Sequence, residues 1–88
     1  MSIKLVTYDL NKETVRPNIV AEIKKTAFAK LSESSYAIDS NETPDQVYTR
    51  FKPLLDSNDN FYVITLKRPY TGRGPADVND WLAKRLTN

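Results

Sequence analysis

Between Ser2 and Leu10 the apolar residues Ile3, Leu5, Val6, Tyr8 and Leu10 occupy both alternating faces of an extended chain. A strand of that kind has no solvent face, so it belongs at the centre of a sheet with cover on each side. In a chain of 88 residues this is a demanding start. A small domain buries only about 60% of the surface its unfolded chain exposes, which leaves room for one core. The other segments must therefore supply both the neighbouring strands and the helices that cover them, within a single domain spanning 1–88.

Asn11 to Thr14 breaks the strand pattern. From Pro17 onward Ile19, Val20, Ile23 and Ala27 recur at helical spacing, with Glu22, Lys24 and Lys25 on the other face and Pro17 suited to a first turn. Phe28 to Asp39 reads two ways. Leu31, Tyr36, Ala37 and Ile38 suit a strand, while Ser32, Glu33, Ser34 and Ser35 interrupt it, giving either one bent strand or a tight hairpin. Thr43, Pro44 and Gln46 match a capping box with proline at the first helical position. Val47, Tyr48, Phe51, Leu54 and Leu55 continue that helix, and Pro53 is expected to kink or shorten its last turn. After a polar turn from Asp56 to Asn60, the run Phe61 to Leu66 reads as another buried strand, leading into a loop from Arg68 to Gly74. Pro75 opens a last helix with Val78, Trp81, Leu82 and Leu86 on one face; Asp77 and Asp80 come early and Lys84 and Arg85 late, as the helix dipole prefers.

Strands alternating with helices over so short a chain predict an α+β two-layer sandwich. If residues 29–39 supply two strands, the ferredoxin-like arrangement results, with the C-terminal helix as an addition. The aromatics Tyr48, Phe51, Phe61, Tyr62 and Trp81 sit at core-type periodicity; Tyr70 lies outside any such stripe.

The chain has no cysteine and no histidine, which excludes disulfides, thiolate metal sites, the usual zinc sites and histidine acid/base chemistry. No apolar run approaches the roughly 18 residues of a membrane span, and the N-terminus does not read as a leader. The default expectation is a cytoplasmic protein with no membrane partner. A net charge of +2 is too mild to imply a nucleic-acid partner by itself. Its distribution is more informative: residues 33–59 hold six acids against two bases, and residues 60–75 hold three bases and no acid.

Those three bases are Lys67, Arg68 and Arg73, and with Tyr70 they make the loop a candidate nucleic-acid contact, the cations for phosphates and the ring for a stacked base. The alternative is a solvated loop, whose charges are expected to contribute little to stability. Gly72 and Gly74 lack the third glycine and the downstream acid of a dinucleotide fingerprint. Asp9, at the C-terminal end of the first strand, is the candidate metal ligand and catalytic carboxylate. Magnesium commonly uses only one or two protein carboxylates, and a two-fold axis could bring a second copy near. Alternatively Asp9 accepts hydrogen bonds from the turn Asn11 to Glu13. Ser32, Ser34 and Ser35 have no histidine to activate a nucleophile, so strand-edge hydrogen bonding is their expected use.

The opening IKLVTYDL and the later LSESSYAID resemble the small CRISPR-associated spacer-acquisition nucleases and the related virulence-associated protein D family. The resemblance spans roughly residues 2–66 and implies a ferredoxin-like fold, a homodimer and magnesium-dependent cleavage of nucleic acid. It matches Tyr8 and Asp9 to the aromatic and Asp that end the family's first strand, and Ser35 with Tyr36 to the serine and aromatic of its second-strand motif. A C-terminal helix departs from the extra strand that often completes the family's dimer. The segment NFYVITLKRPYTGRGPADVNDWL is similar to small phage- or prophage-encoded proteins, some labelled SinR-family, of unassigned role.

Two functions are therefore in view. One is a homodimeric protein associated with RNA or DNA, descended from nucleases, with Asp9 pairs holding magnesium between subunits. The other is a non-catalytic regulatory or protein-interaction module, of phage origin on the second resemblance, in which the same fold only binds a partner. Binding is preferred over catalysis, because each positioned proton-transfer group is worth about 10²- to 10⁴-fold and the first strand offers one carboxylate. The apolar last strand favours a homodimer through its edge, unless the C-terminal helix covers that edge internally.

Overall fold

A computed structural model of the protein describes residues 2–87. The first strand, β1 (Ser2–Asp9), leads through a short 3-10 turn, Glu13–Val15, into helix α1 (Arg16–Ile23). Strands β2 (Ala27–Ser32) and β3 (Ser35–Ser40) follow as a hairpin, then helix α2 (Pro44–Phe51), strand β4 (Asn60–Leu66) and helix α3 (Ala76–Arg85). The four strands form one antiparallel sheet in the order β2-β3-β1-β4. This is the ferredoxin-like arrangement with an added C-terminal helix. Among the described residues no helix is long and apolar enough to cross a membrane.

The alternation of β1 organises both sides of the sheet. Val6 and Tyr8 point to the face covered by α1 and α2, where they pack with Ile19, Ile23, Val47 and Phe51. Ile3 points the other way, into a smaller cluster with Ala37 and Leu86 that Leu66, Trp81 and Leu82 complete. Helix α3 thus lies on the face opposite α1 and α2, so part of the sheet has a third layer rather than an appendage at its margin.

Local signals account for most element ends. Thr43 Oγ1 accepts from the Gln46 N–H at 3.2 Å and Gln46 Oε1 accepts from the Thr43 N–H at 2.9 Å, the predicted capping box. Pro53 turns the end of α2 into the 3-10 turn Lys52–Leu54. The ambiguous segment is a hairpin whose turn is Glu33–Ser34, with a bulge between Lys30 and Ser32. Helix α1 stops at Ile23, where the Thr26 hydroxyl donates to the Ile23 carbonyl at 2.9 Å, so Ala27 opens β2 instead of extending the helical stripe.

Strand β4 corrects a second expectation. It is an edge strand, not a buried one: Phe61 is buried, but Tyr62 and Ile64 on the opposite face are 63% and 49% exposed. Tyr62 therefore leaves the set of core aromatics, while Tyr48 is 39% exposed with its ring 6.2 Å from that of Phe61.

Beneath α1 and α2 runs a chain of charges. Lys4 is buried and donates from Nζ to the Ser40 carbonyl at 2.7 Å. Arg50 spans Glu22 at 2.6 Å and Glu42 at 2.9 Å, joining the two helices to the end of β3.

Candidate functional site

The end of β4 and the end of α3 are clasped together. The Arg68 N–H donates to the Thr87 carbonyl at 2.7 Å, and the Arg68 guanidinium donates from Nε to Leu86 O and from Nη2 to Ala83 O, each at 2.7 Å. Ala83 lies in the last turn of α3 and Leu86 is its C-cap, where carbonyls have no further helical donors. Arg68 is thus a helix cap, and a cation there also opposes the negative end of the helix dipole. This corrects the expectation that the loop charges are all spare: Arg68 is held by the fold.

With its base closed by Arg68, the loop bulges out through Tyr70, Thr71, Gly72 and Arg73 and returns at Pro75, where Asn79 Nδ2 donates to the Gly74 carbonyl at 3.1 Å. Tyr70 is 42% exposed and the Arg68 guanidinium lies 5.7 Å from its ring centre, so one ring face is already occupied by a cation. Lys67 and Arg73 are exposed, and among the described residues neither forms an ion pair or side-chain hydrogen bond. Of the four loop residues singled out in the sequence, Tyr70 and Arg73 line one cleft of about 240 Å³ between the loop, α3 and the exposed Leu31 of β2. Leu31 carried no signal in the sequence beyond its place in a strand. Its position beside the loop depends on α3 crossing the sheet.

Asp9 lies elsewhere. It pairs with Asn60 across β1 and β4, is exposed, and shares a shallow surface depression with Thr7, Asn60 and Tyr62. The turn that was expected to use Asp9 is served by Asp59, whose Oδ1 accepts from the Asn11 N–H at 2.7 Å. Among the described residues the Asp9 carboxylate takes no hydrogen bond, and no three carboxylates gather into a group that could hold a metal ion. A metal here would rest on Asp9 and neutral oxygens from one chain, or on a second Asp9 from another.

The residues matched to the second-strand motif and to the aromatic before Asp9 divide between the two faces. Tyr8 and Tyr36 are buried in the main core. Tyr8 stacks on Phe61 at 6.0 Å, and burial pushes its hydroxyl above the ordinary tyrosine pKa, with the nearby Arg16 guanidinium pulling the other way. Ser35 faces away from that core, and its hydroxyl lies 2.8 Å from that of Thr7, the register partner across β1 and β3. The serines make hydrogen bonds, but not along an edge: Ser35 and Thr7 sit on the two central strands, Ser32 Oγ accepts from the Ser34 N–H at 3.4 Å within the hairpin turn, and Ser34 Oγ accepts from Arg16 at 3.2 Å.

On the face that α3 partly covers, the half toward Asp9 is open: Thr7, Asp9, Asn60, Tyr62 and Ile64 follow one another across β1 and β4 with no helix over them. The open half and the basic loop are two surfaces available for a partner.

No family model matches the chain, and no curated protein sequence matches it. Among solved structures it is similar to the crystal structure of the hypothetical protein TT1823 from Thermus thermophilus, with a TM-score of 0.66 at 19% identity, covering 84% of this chain and 94% of that one. At that identity the likeness carries the fold.

Proposed function

We propose that this chain is a small, self-associating module that binds single-stranded nucleic acid through the loop 67–73 and does not itself cleave it. The observation that carries this reading is the loop's free chemistry: Lys67 and Arg73, without partners among the described residues, on either side of an exposed Tyr70, in a stretch with no acid. Phosphates take the cations and a base takes the ring, a combination that tolerates any sequence because every base has a flat face. Phosphate contacts by Lys67 and Arg73 imply a slope of log affinity against log salt of about −1.4 for a single strand, so binding by one chain is weak and a dimer would double the slope.

Fluorescence anisotropy of a labelled single-stranded oligonucleotide across a salt series is the test. The expected outcome is retention at low salt, a slope of about −1.4 per chain, and a fall to about −0.7 in Arg73→Ala. Binding that ignores salt, or a slope untouched by Arg73→Ala, refutes the loop as the contact.

A second reading keeps the nuclease. It is favoured by the placement of Asp9 on the open half of the sheet face, where a two-fold partner seated on that face would bring two Asp9 carboxylates to one cation.

A further inference from the structure

The cleft beside the loop has a composition that a general cationic surface does not need. Leu31 comes from the far end of β2, Tyr70 and Arg73 from the loop, and Val78, Asn79 and Leu82 from the first two turns of α3. Three aliphatic side chains and a ring thus form the walls, one guanidinium stands among them, and no acid lines the space. At about 240 Å³ the cleft is smaller than the roughly 300 to 1,000 Å³ of sites that hold whole drug-sized ligands. It suits one flat ring system with a negative group at its mouth. The Asn79 amide already donates to the Gly74 carbonyl, and its oxygen accepts no hydrogen bond among the described residues, so it can serve as an acceptor. Beside Gly72 lies open space, since a side chain there would meet no protein atom within 4 Å, and the glycine leaves that space to a ligand.

We infer that this cleft takes a single unstacked nucleobase from a single strand, with the base between Tyr70 and the Leu31–Leu82 wall and its phosphate against Arg73. The inference rests on the nucleic-acid reading above and makes it sharper: the strand is held by one inserted base rather than by charge alone. Duplex nucleic acid is a poor ligand on this account, since its bases are already stacked and paired.

The experiment compares an ordinary single-stranded DNA hexamer with an abasic hexamer of the same charge, by anisotropy at one low salt concentration, for the wild type and for Leu31→Trp, which fills the cleft from an exposed position. Wild type is expected to prefer the ordinary strand by roughly tenfold, in line with the worth of one stacked base. In Leu31→Trp that preference should vanish while the residual, salt-sensitive binding of both strands remains; an unchanged melting temperature verifies the fold. Equal binding of the two strands by wild type, or a preference that Leu31→Trp leaves intact, overturns the cleft while the loop's phosphate contacts stand. Absence of binding to either strand overturns the cleft and the broader reading together.

Discussion

Arg68 and Arg73 lie five positions apart in one loop, and replacing each in turn separates fold from function. Arg68→Met keeps the aliphatic stem and the backbone bond to Thr87 but removes two guanidinium hydrogen bonds to the last turn of α3. A hydrogen bond involving a charged group contributes about 1.5 to 3 kcal/mol when buried. Here one bond is part-buried and the other exposed, so solvent replaces much of the second. Adding a helix-end cation of about 0.3 to 1 kcal/mol gives a net loss of roughly 2 kcal/mol. For a domain of this size each kcal/mol moves the melting temperature by about 4 to 8 °C, so thermal unfolding followed by circular dichroism should fall by roughly 8 to 16 °C. Arg73→Ala should melt with the parent. Amide exchange gives the local readout: in Arg68→Met the protons of residues 76–86 should exchange faster before the rest of the chain does. An Arg68→Met protein that melts within a degree or two of the parent, with α3 equally protected, would refute the capping argument and return Arg68 to the set of free loop cations.

Two further perturbations probe the cores on either side of the sheet. Arg50→Met should cost roughly 2 kcal/mol at neutral pH, since it leaves the part-buried Glu42 without its guanidinium and the part-buried Glu22 with Lys25 alone. Lys25 and Arg50 hold Glu22, and Arg50 above all holds Glu42, below the ordinary carboxylate pKa. A depressed folded pKa gives stability that is present above the unfolded value and lost as pH falls through the folded one, so urea titrations should show the gap between parent and variant closing as pH drops from about 5 towards 3; a gap constant with pH would rule out the ion pairs as its source. Trp81→Ala should cost about 2 kcal/mol, below the ~3 to 5 of a fully buried ring, because Trp81 is half-buried with the Arg85 guanidinium 4.3 Å from its ring centre. Urea denaturation measures it, and a loss under half a kcal/mol would mean that α3 is held without its aromatic.

What the sequence disclosed follows the range of the interactions involved. The capping box of α2 and the aliphatic stripes of all three helices are written within one or two turns, and each was readable. The end of α1 was not, because Ala27 continues the helical spacing and only the folded backbone shows Thr26 closing on Ile23. The aromatic and β-branched run Phe61 to Leu66 marked β4 as a strand but wrongly as a buried one, since its exposure depends on β4 taking the edge of the sheet and α3 crossing toward β2. The candidate site divides in the same way. Tyr70, Lys67 and Arg73 stood out through local composition. Arg68 was misjudged because its acceptors are 15 and 18 residues away, Asp59 was missed as the acceptor of a turn 48 residues away, and Leu31 acquires meaning only from the helix folded beside it.

Asp9 is where self-association and catalysis become one question, because the two ways of pairing this molecule place it differently. If β4 edges join antiparallel about a two-fold axis at Val63, the two Asp9 residues sit beside opposite ends of the joined strands. Three residues on each side of the axis at about 3.3 Å each put them roughly 20 Å apart along the strands, too far to share an ion. If instead the open halves of the two sheet faces meet, Tyr62 and Ile64 are covered and the Asp9 rims can approach. The open half is small beside the ~800 Å² per partner of a stable interface, so this pairing should be concentration-dependent. The chain has no cysteine, so Asp9→Cys gives a single unambiguous probe. A disulfide needs Cα atoms within about 7 Å, and mild oxidation should therefore yield covalent dimer only from face pairing. On the binding reading, the expected result is no crosslink, and no cleavage of single-stranded RNA or DNA by wild type with magnesium or manganese. Rapid crosslinking of Asp9→Cys together with metal-dependent cleavage that Asp9→Asn abolishes would overturn that reading in favour of the nuclease, because a neutral amide is a poor ligand for a hard cation. Cleavage that survives Asp9→Asn would refute both, since the activity would then arise away from the only carboxylate that either reading employs.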